Sequence, residues 1–141
     1  MFVAEILRTK GSAVFSIPPA LTLGQACKTL EQKRVGALIV CDGEQVVGVF
    51  SERDVVRALA ADGREALERP VAVYMTAEVI FADPREEMSA LMSRMTDRRI
   101  RHLPVMEDRR LIGVVSIGDV VKCQIAEHAH EAESLRTYIA S

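Results

Sequence analysis

A chain of 141 residues with 49% hydrophobic and 27% charged side chains is too apolar for disorder and long enough to bury a core without disulfide or metal staples, as one compact unit or two very small ones. Its 18 Lys+Arg stand against 20 Asp+Glu, scattered rather than gathered into a basic arm, which argues against sequence-independent binding of a nucleic-acid polymer. With 4% aromatic residues and no Trp there are no rows of rings for stacking bases, so a nucleobase pocket here has aliphatic walls.

The first residues, MFVAEILRTKGSAVFSIPP, lack an apolar run of signal-peptide length. No segment approaches the roughly 18 consecutive apolar residues that span a bilayer, so a cytoplasmic protein without membrane contact is expected. Leu23, Ala26, Cys27 and Leu30 recur at i, i+3, i+4 and i+7, which predicts one apolar stripe of a helix. Two β-rich runs follow, Ala37 to Cys41 and Gln45 to Phe50, joined by Asp42-Gly43, where glycine allows the positive φ of a tight hairpin turn. Ser51 opens a second helix, which Ala61-Asp62-Gly63 closes. Residues 64–75 form a connection in which Pro70 limits any helical turn.

The same order then returns. Residues 34–57, RVGALIVCDGEQVVGVFSERDVVR, align without a gap with residues 99–122, RIRHLPVMEDRRLIGVVSIGDVVK. The offset is 65 residues, with Arg34/Arg99, Leu38/Leu103, Val40/Val105, Gly48/Gly113, Ser51/Ser116 and Asp54/Asp119 among the identical pairs. Upstream, Met88, Leu91, Met92 and Met95 repeat the helical stripe, and Glu107-Asp108-Arg109 replaces the first hairpin turn. Each copy reads strand, helix, strand, strand, helix, a βαββα unit of an α+β fold with a mixed sheet. Such a unit buries too little alone, which predicts two copies packed pseudo-symmetrically. The expected division is 1–65 for the first copy, 66–125 for the second and 126–141 for a C-terminal helix, the last part of one long terminal helix predicted from Val120 to Ile139. A remaining apolar helix face favours a homodimer.

Ser51-Glu52-Arg53-Asp54 and Ser116-Ile117-Gly118-Asp119 each follow a strand and open a helix. The pattern S-x-x-D is close to a capping box, in which serine caps the helix and the acid returns the bond. It also suits a ligand, because unpaired N–H groups and the positive end of the helix dipole favour phosphate, and a carboxylate accepts both hydroxyls of a ribose diol. The roles can coexist. His128 and His130 lie two apart on a helix and face different directions, so they are no chelate, and no metal cofactor is expected. Glu86, Glu87 and Asp97 read as exposed helix charges. Cys27, Cys41 and Cys123 form no C-x-x-C pair and read as small core residues in a reducing compartment. No Walker A, G-x-G-x-x-G, H-E-x-x-H or G-x-S-x-G sequence is present, nor a triad or acid/base pair, so no catalytic residue is assigned and no enzyme is expected.

GALIVCDGEQVVGVFSERDVVRA and RHLPVMEDRRLIGVVSIGDVVK, with YMTAEVIFADP leading into the second, resemble the tandem cystathionine β-synthase (CBS) domain family, in its stand-alone bacterial form. The resemblance implies a cytoplasmic, energy-sensing regulatory module that binds an adenine nucleotide such as AMP, ATP or NADH and passes its occupancy to an unknown regulated protein. In the family the acid contacts ribose, a role that falls on Asp54 and Asp119. By the same resemblance Ser51, Arg53 and Asp54 are joined by Thr76, Val79, Ile100, Arg101 and His102, whereas Ser116 and Asp119 are joined by Thr9, Val14, Val35, Gly36 and Ala37. Arg101-His102 stands where the first copy carries Gly36-Ala37, so the site holding them is expected to take the more anionic ligand. The alternative expectation is a structural or adaptor dimer without a physiological ligand.

Overall fold

The apolar stripe from Leu23 to Leu30 forms the helix that its spacing predicts. In the computed structural model, which describes residues 1–11 and 13–140, the chain runs α1 (Val3–Lys10), β1 (Ser16–Ile17), α2 (Leu23–Lys33), β2 (Ala37–Asp42), β3 (Gln45–Ser51), α3 (Glu52–Asp62), α4 (Met88–Arg98), β4 (His102–Glu107), β5 (Arg110–Ser116) and α5 (Ile117–Ala140). Two 3₁₀ turns, Gly63–Glu68 and Val71–Val73, flank Pro70 in the connection. The contacts divide the chain into two units, Ala13–Ile80 and Met1–Ser12 with Phe81–Ser141.

In the unit Ala13–Ile80 the sheet order is β1-β2-β3, with β1 parallel to β2 and β2 antiparallel to β3. Thr22 caps α2: its hydroxyl accepts from the Gln25 N–H at 3.2 Å while Gln25 Oε1 accepts from the Thr22 N–H at 3.1 Å, a reciprocal capping box. The hairpin turn falls on Gly43-Glu44, one residue later than Asp42-Gly43, and Gly43 has φ +62°. Ile17, Leu23, Ala26, Leu30, Leu38, Val40, Phe50, Ala58, Ala66 and Val71 form its core. The connection is tied back to α3 by Asp62, whose carboxylate accepts from Tyr74 Oη at 2.7 Å and pairs with Arg69 at 3.0 Å.

The other unit holds the antiparallel pair β4-β5. Its turn, Asp108-Arg109, has φ +49° and +65°, positive at both central residues as a type I′ hairpin requires. The leading strand expected before α4 is reduced to one parallel bridge, Ala82 to Val105. Helix α1, which the sequence reading did not anticipate, packs in this unit: the Val3 and Ala4 N–H groups donate to Glu86 and Pro84 carbonyls at 2.9 Å, and Met88 N–H to Met1 at 2.8 Å. Val3, Ile6 and Leu7 on α1 are buried, as are Met88, Leu91 and Met95 on α4, Leu103, Val105 and Val115 on the strands, and Val120 and Cys123 on α5.

The compact units are set by packing. Residues 66–80 stay with the first copy because their 3₁₀ turns close its core through Ala66 and Val71, while α1 lies with the second copy. Residues 126–140 continue α5, so the tail from Val120 to Ile139 is the one long terminal helix that its spacing predicts, and the 24 residues of α5 extend about 36 Å. Both copies share one close approach. A Cβ on Gly48 would lie 2.5 Å from Met75 Sδ, and one on Gly113 would lie 2.7 Å from Leu7 Cδ2. A larger residue at either position would force Met75 or Leu7 to shift, which fits the identity at this position of the repeat.

Candidate functional site

Each S-x-x-D sequence sits where a hairpin strand turns into a helix. At the first, Asp54 is 5% exposed, unusual for a carboxylate. Its Oδ2 accepts the Ser51 N–H at 2.8 Å and the Ser51 hydroxyl at 3.1 Å. Among the described residues no cation lies within ion-pair distance of it. The pairing of β2 with β3 sets Ala37 opposite Ser51, and the Gly36 carbonyl accepts the Glu52 N–H at 3.1 Å. Thr76 is held beside β3 by reciprocal backbone bonds with Val49. Arg53 and Thr76 are exposed, and Val14, Val35 and Val79 are half-buried.

At the second start the capping box is reciprocal: Ser116 N–H donates to Asp119 Oδ2 at 2.8 Å, and Asp119 N–H donates to Ser116 Oγ at 3.1 Å. His102 stands opposite Ser116 in the sheet, the Arg101 carbonyl accepts the Ile117 N–H at 2.8 Å, and the Ile100 N–H closes the end of α4 on Met95 at 3.0 Å. Arg101 is exposed and His102 half-buried. Thus Gly36-Ala37 and Arg101-His102 each border the serine of their own copy. The helix starts also offer fewer backbone donors than expected, because a preceding carbonyl takes the first helical N–H and the acid takes the serine N–H.

The residue that sequence reasoning missed is Lys10. Thr9, its neighbour, turns its hydroxyl back to the Glu5 carbonyl of its own helix at 3.0 Å. Lys10 Nζ instead donates to Asp119 Oδ2 and to the Val114 carbonyl, both at 2.6 Å. Partial burial pushes the Asp119 carboxyl up, but the Lys10 ammonium together with the Ser116 N–H and hydroxyl outweighs burial and holds it below the usual carboxylate value of 3.8. A carboxyl held lower in the folded chain stabilises above its unfolded pKa, and that contribution is lost as pH falls through the folded value. Asp119→Asn is therefore expected to flatten the fall of the urea midpoint below about pH 4, by a modest amount because both partners remain partly exposed. An unchanged acid limb would show that the pair contributes nothing.

Burial raises the pKa of Cys27, Cys41 and Cys123, which suits packing thiols rather than nucleophiles. Among the described residues no group of His, Cys, Asp and Glu is placed to hold a metal ion, and no helix is long and apolar enough to cross a membrane.

Two S-x-x-D helix starts behind two matching hairpins, 65 residues apart, are a doubled structural signature, and the family model of the CBS domain matches residues 3–61 and 71–126. The chain belongs to the CBS domain family. Among curated CBS proteins it is 42% identical over 123 residues to the mitochondrial CBS domain-containing protein CBSX3 of Arabidopsis thaliana, covering 84% of this chain and 60% of that protein's length. Among solved structures, a CBS-domain containing protein from Agrobacterium tumefaciens matches with a TM-score of 0.86 at 41% identity, over 88% of this chain and 99% of that one. A CBS domain protein from Pyrobaculum aerophilum complexed with AMP matches with a TM-score of 0.75 at 26% identity, over 84% and 89%. A CBS domain pair in complex with 5′-methylthioadenosine and S-adenosyl-L-methionine shares the fold, with a TM-score of 0.80 at 23% identity over 90% and 98%.

Proposed function

We propose that this CBS pair is a non-catalytic regulatory module that binds an adenosine-containing ligand and passes its occupancy to a partner protein. The observation that carries the proposal is Asp54: a buried carboxylate at a helix start, bonded among the described residues only by the serine of its own S-x-x-D sequence. An acceptor of this kind suits the paired hydroxyls of a ribose. AMP, 5′-methylthioadenosine and S-adenosylmethionine, the ligands of the solved relatives, differ in charge but share adenine and ribose. Aliphatic surroundings for the base and a carboxylate for the diol are what that shared part requires. Arg101 is assigned to the phosphates of AMP, ATP or NADH, as the resemblance implies, and the free thiols fit a reducing, cytoplasmic setting.

Isothermal titration with AMP, ATP, NADH, adenosine and S-adenosylmethionine tests the proposal. Saturable heat with at least one is expected, and Arg101→Ala should weaken ATP more than adenosine. Silence at millimolar concentrations of all five would remove the sensor reading. The second reading, an adaptor dimer without a ligand, is favoured by α5, where Ile125, Leu135, Tyr138 and Ile139 are 60–79% exposed. A stable dimer that gives no heat with any of the five would establish it.

A further inference from the structure

The two copies differ at the one atom group on which the ligand proposal rests. Asp54 is bonded by Ser51 and meets no cation among the described residues. Asp119, its counterpart 65 residues on, carries the Lys10 ammonium at 2.6 Å. The strand carbonyls beside the two acids differ in the same way. Val49, in the first copy, accepts a backbone N–H from Thr76 at 2.9 Å, whereas Val114, in the second, accepts Lys10 Nζ at 2.6 Å. In the first copy the strand is satisfied without any side chain, and the acid is left to its serine. In the second, one ammonium bridges the strand carbonyl and the acid and neutralises the carboxylate.

We propose that Lys10 is an internal occupant of the second acid site, so that the chain binds one adenosine-containing ligand, at Asp54, and takes a second only when Lys10 is withdrawn. This rests on the proposed ligand-binding function and specifies which of its two acids is open. A ribose hydroxyl approaching Asp119 Oδ2 meets a carboxylate whose charge is already balanced. To displace the ammonium, a hydroxyl bonded to the carboxylate must replace an ion pair in which donor and acceptor are both charged, and the Val114 carbonyl loses its side-chain donor. At Asp54 no ammonium has to be displaced: of the two Ser51 donors on Oδ2, the N–H can stay as the Ser116 N–H does at Asp119, and the hydroxyl can rotate to another acceptor. The pair sits at the end of α1, two turns long, so a partner or ligand that loosens this helix would uncover the second acid.

The test is the stoichiometry of AMP binding by equilibrium dialysis and calorimetry. Lys10→Met gives the second copy the residue that the first carries 65 positions later, Met75, and Lys10→Gln is the second variant should the first fold poorly. The expected result is one AMP per wild-type chain, two per Lys10→Met chain, and one again in Lys10→Met/Asp119→Ala, with Lys10→Arg remaining at one. Two equivalents in the wild type, with one lost in Lys10→Met, would overturn the inference by making Lys10 part of a ligand's own site. One equivalent in every variant would overturn it by showing that the second acid is no site at all. Both of those results leave ligand binding itself standing. No AMP in any of the proteins removes the ligand-binding proposal and this inference with it.

Discussion

Replacing Phe50 with alanine is expected to cost about 3–5 kcal/mol, the range for emptying a buried aromatic position. Phe50 is fully buried and belongs to the core formed by β2, β3, α2, α3 and the 3₁₀ turns. Its loss removes both the transfer energy of the ring and the contacts of the cavity walls. Against a typical total of about 5–15 kcal/mol, that is enough to leave the unit Ala13–Ile80 marginal. The counterpart 65 residues later is Val115, also fully buried. Valine to alanine removes about two methyl groups at about 0.8 kcal/mol each before any cavity cost, so Val115→Ala should cost roughly half as much or less. Urea unfolding measures the difference: with a slope of about 2 kcal/mol per molar, Phe50→Ala lowers the midpoint by about 2 M. Amide exchange locates it, since Phe50→Ala should accelerate exchange in residues 13–80 first. Equal losses for the two variants would mean that the core near Phe50 collapses around the smaller side chain.

The hairpins, the S-x-x-D helix starts and the two apolar stripes were legible in the sequence because each is a local pattern written twice. Period and turn chemistry reveal such patterns without knowledge of what lies across the fold. Helix α1 was not legible for the opposite reason. Eight residues with only Val3, Ile6 and Leu7 on the buried side make too short a stripe to distinguish from a loop, and isolated helices of this length are unstable in water. Its stability comes from residues more than 75 positions away, Pro84, Glu86 and Met88. Lys10 was missed with it, since a pair between positions 10 and 119 leaves no spacing to detect. Arg34 and Arg99 are an intermediate case. Their identity across copies was visible, but the reason is conformational: each ends its helix in the left-handed region, at φ +54° and +53°, where glycine is the usual residue. The arginine side chain explains nothing at that position, and the repeat merely preserves the same helix end.

Asp54 is the position at which structure and ligand make separable demands, and two substitutions should separate them. Asp54→Ala leaves the Ser51 N–H and hydroxyl without their acceptor. An orphaned donor of this kind costs about 1–3 kcal/mol, so a fall in thermal midpoint is expected along with any loss of binding. Asp54→Asn keeps one oxygen of the same shape, which can still accept the Ser51 N–H, and should hold most of the stability. It does remove the charge and one of the two acceptor oxygens offered to a diol. Hydrogen bonds to charged groups contribute about 1.5–3 kcal/mol, and each 1.4 kcal/mol is about tenfold in affinity, so Asp54→Asn should weaken AMP by about 10–150-fold. The matched change Asp119→Asn, at an acid already held by Lys10, should leave AMP affinity within about twofold while altering acid stability. If Asp54→Asn binds AMP like the wild type, the carboxylate is a helix cap only, and the ribose has to be held by other groups. If Asp119→Asn weakens AMP as strongly as Asp54→Asn, the lysine does not close its site, and the two copies are equivalent in function as well as in sequence.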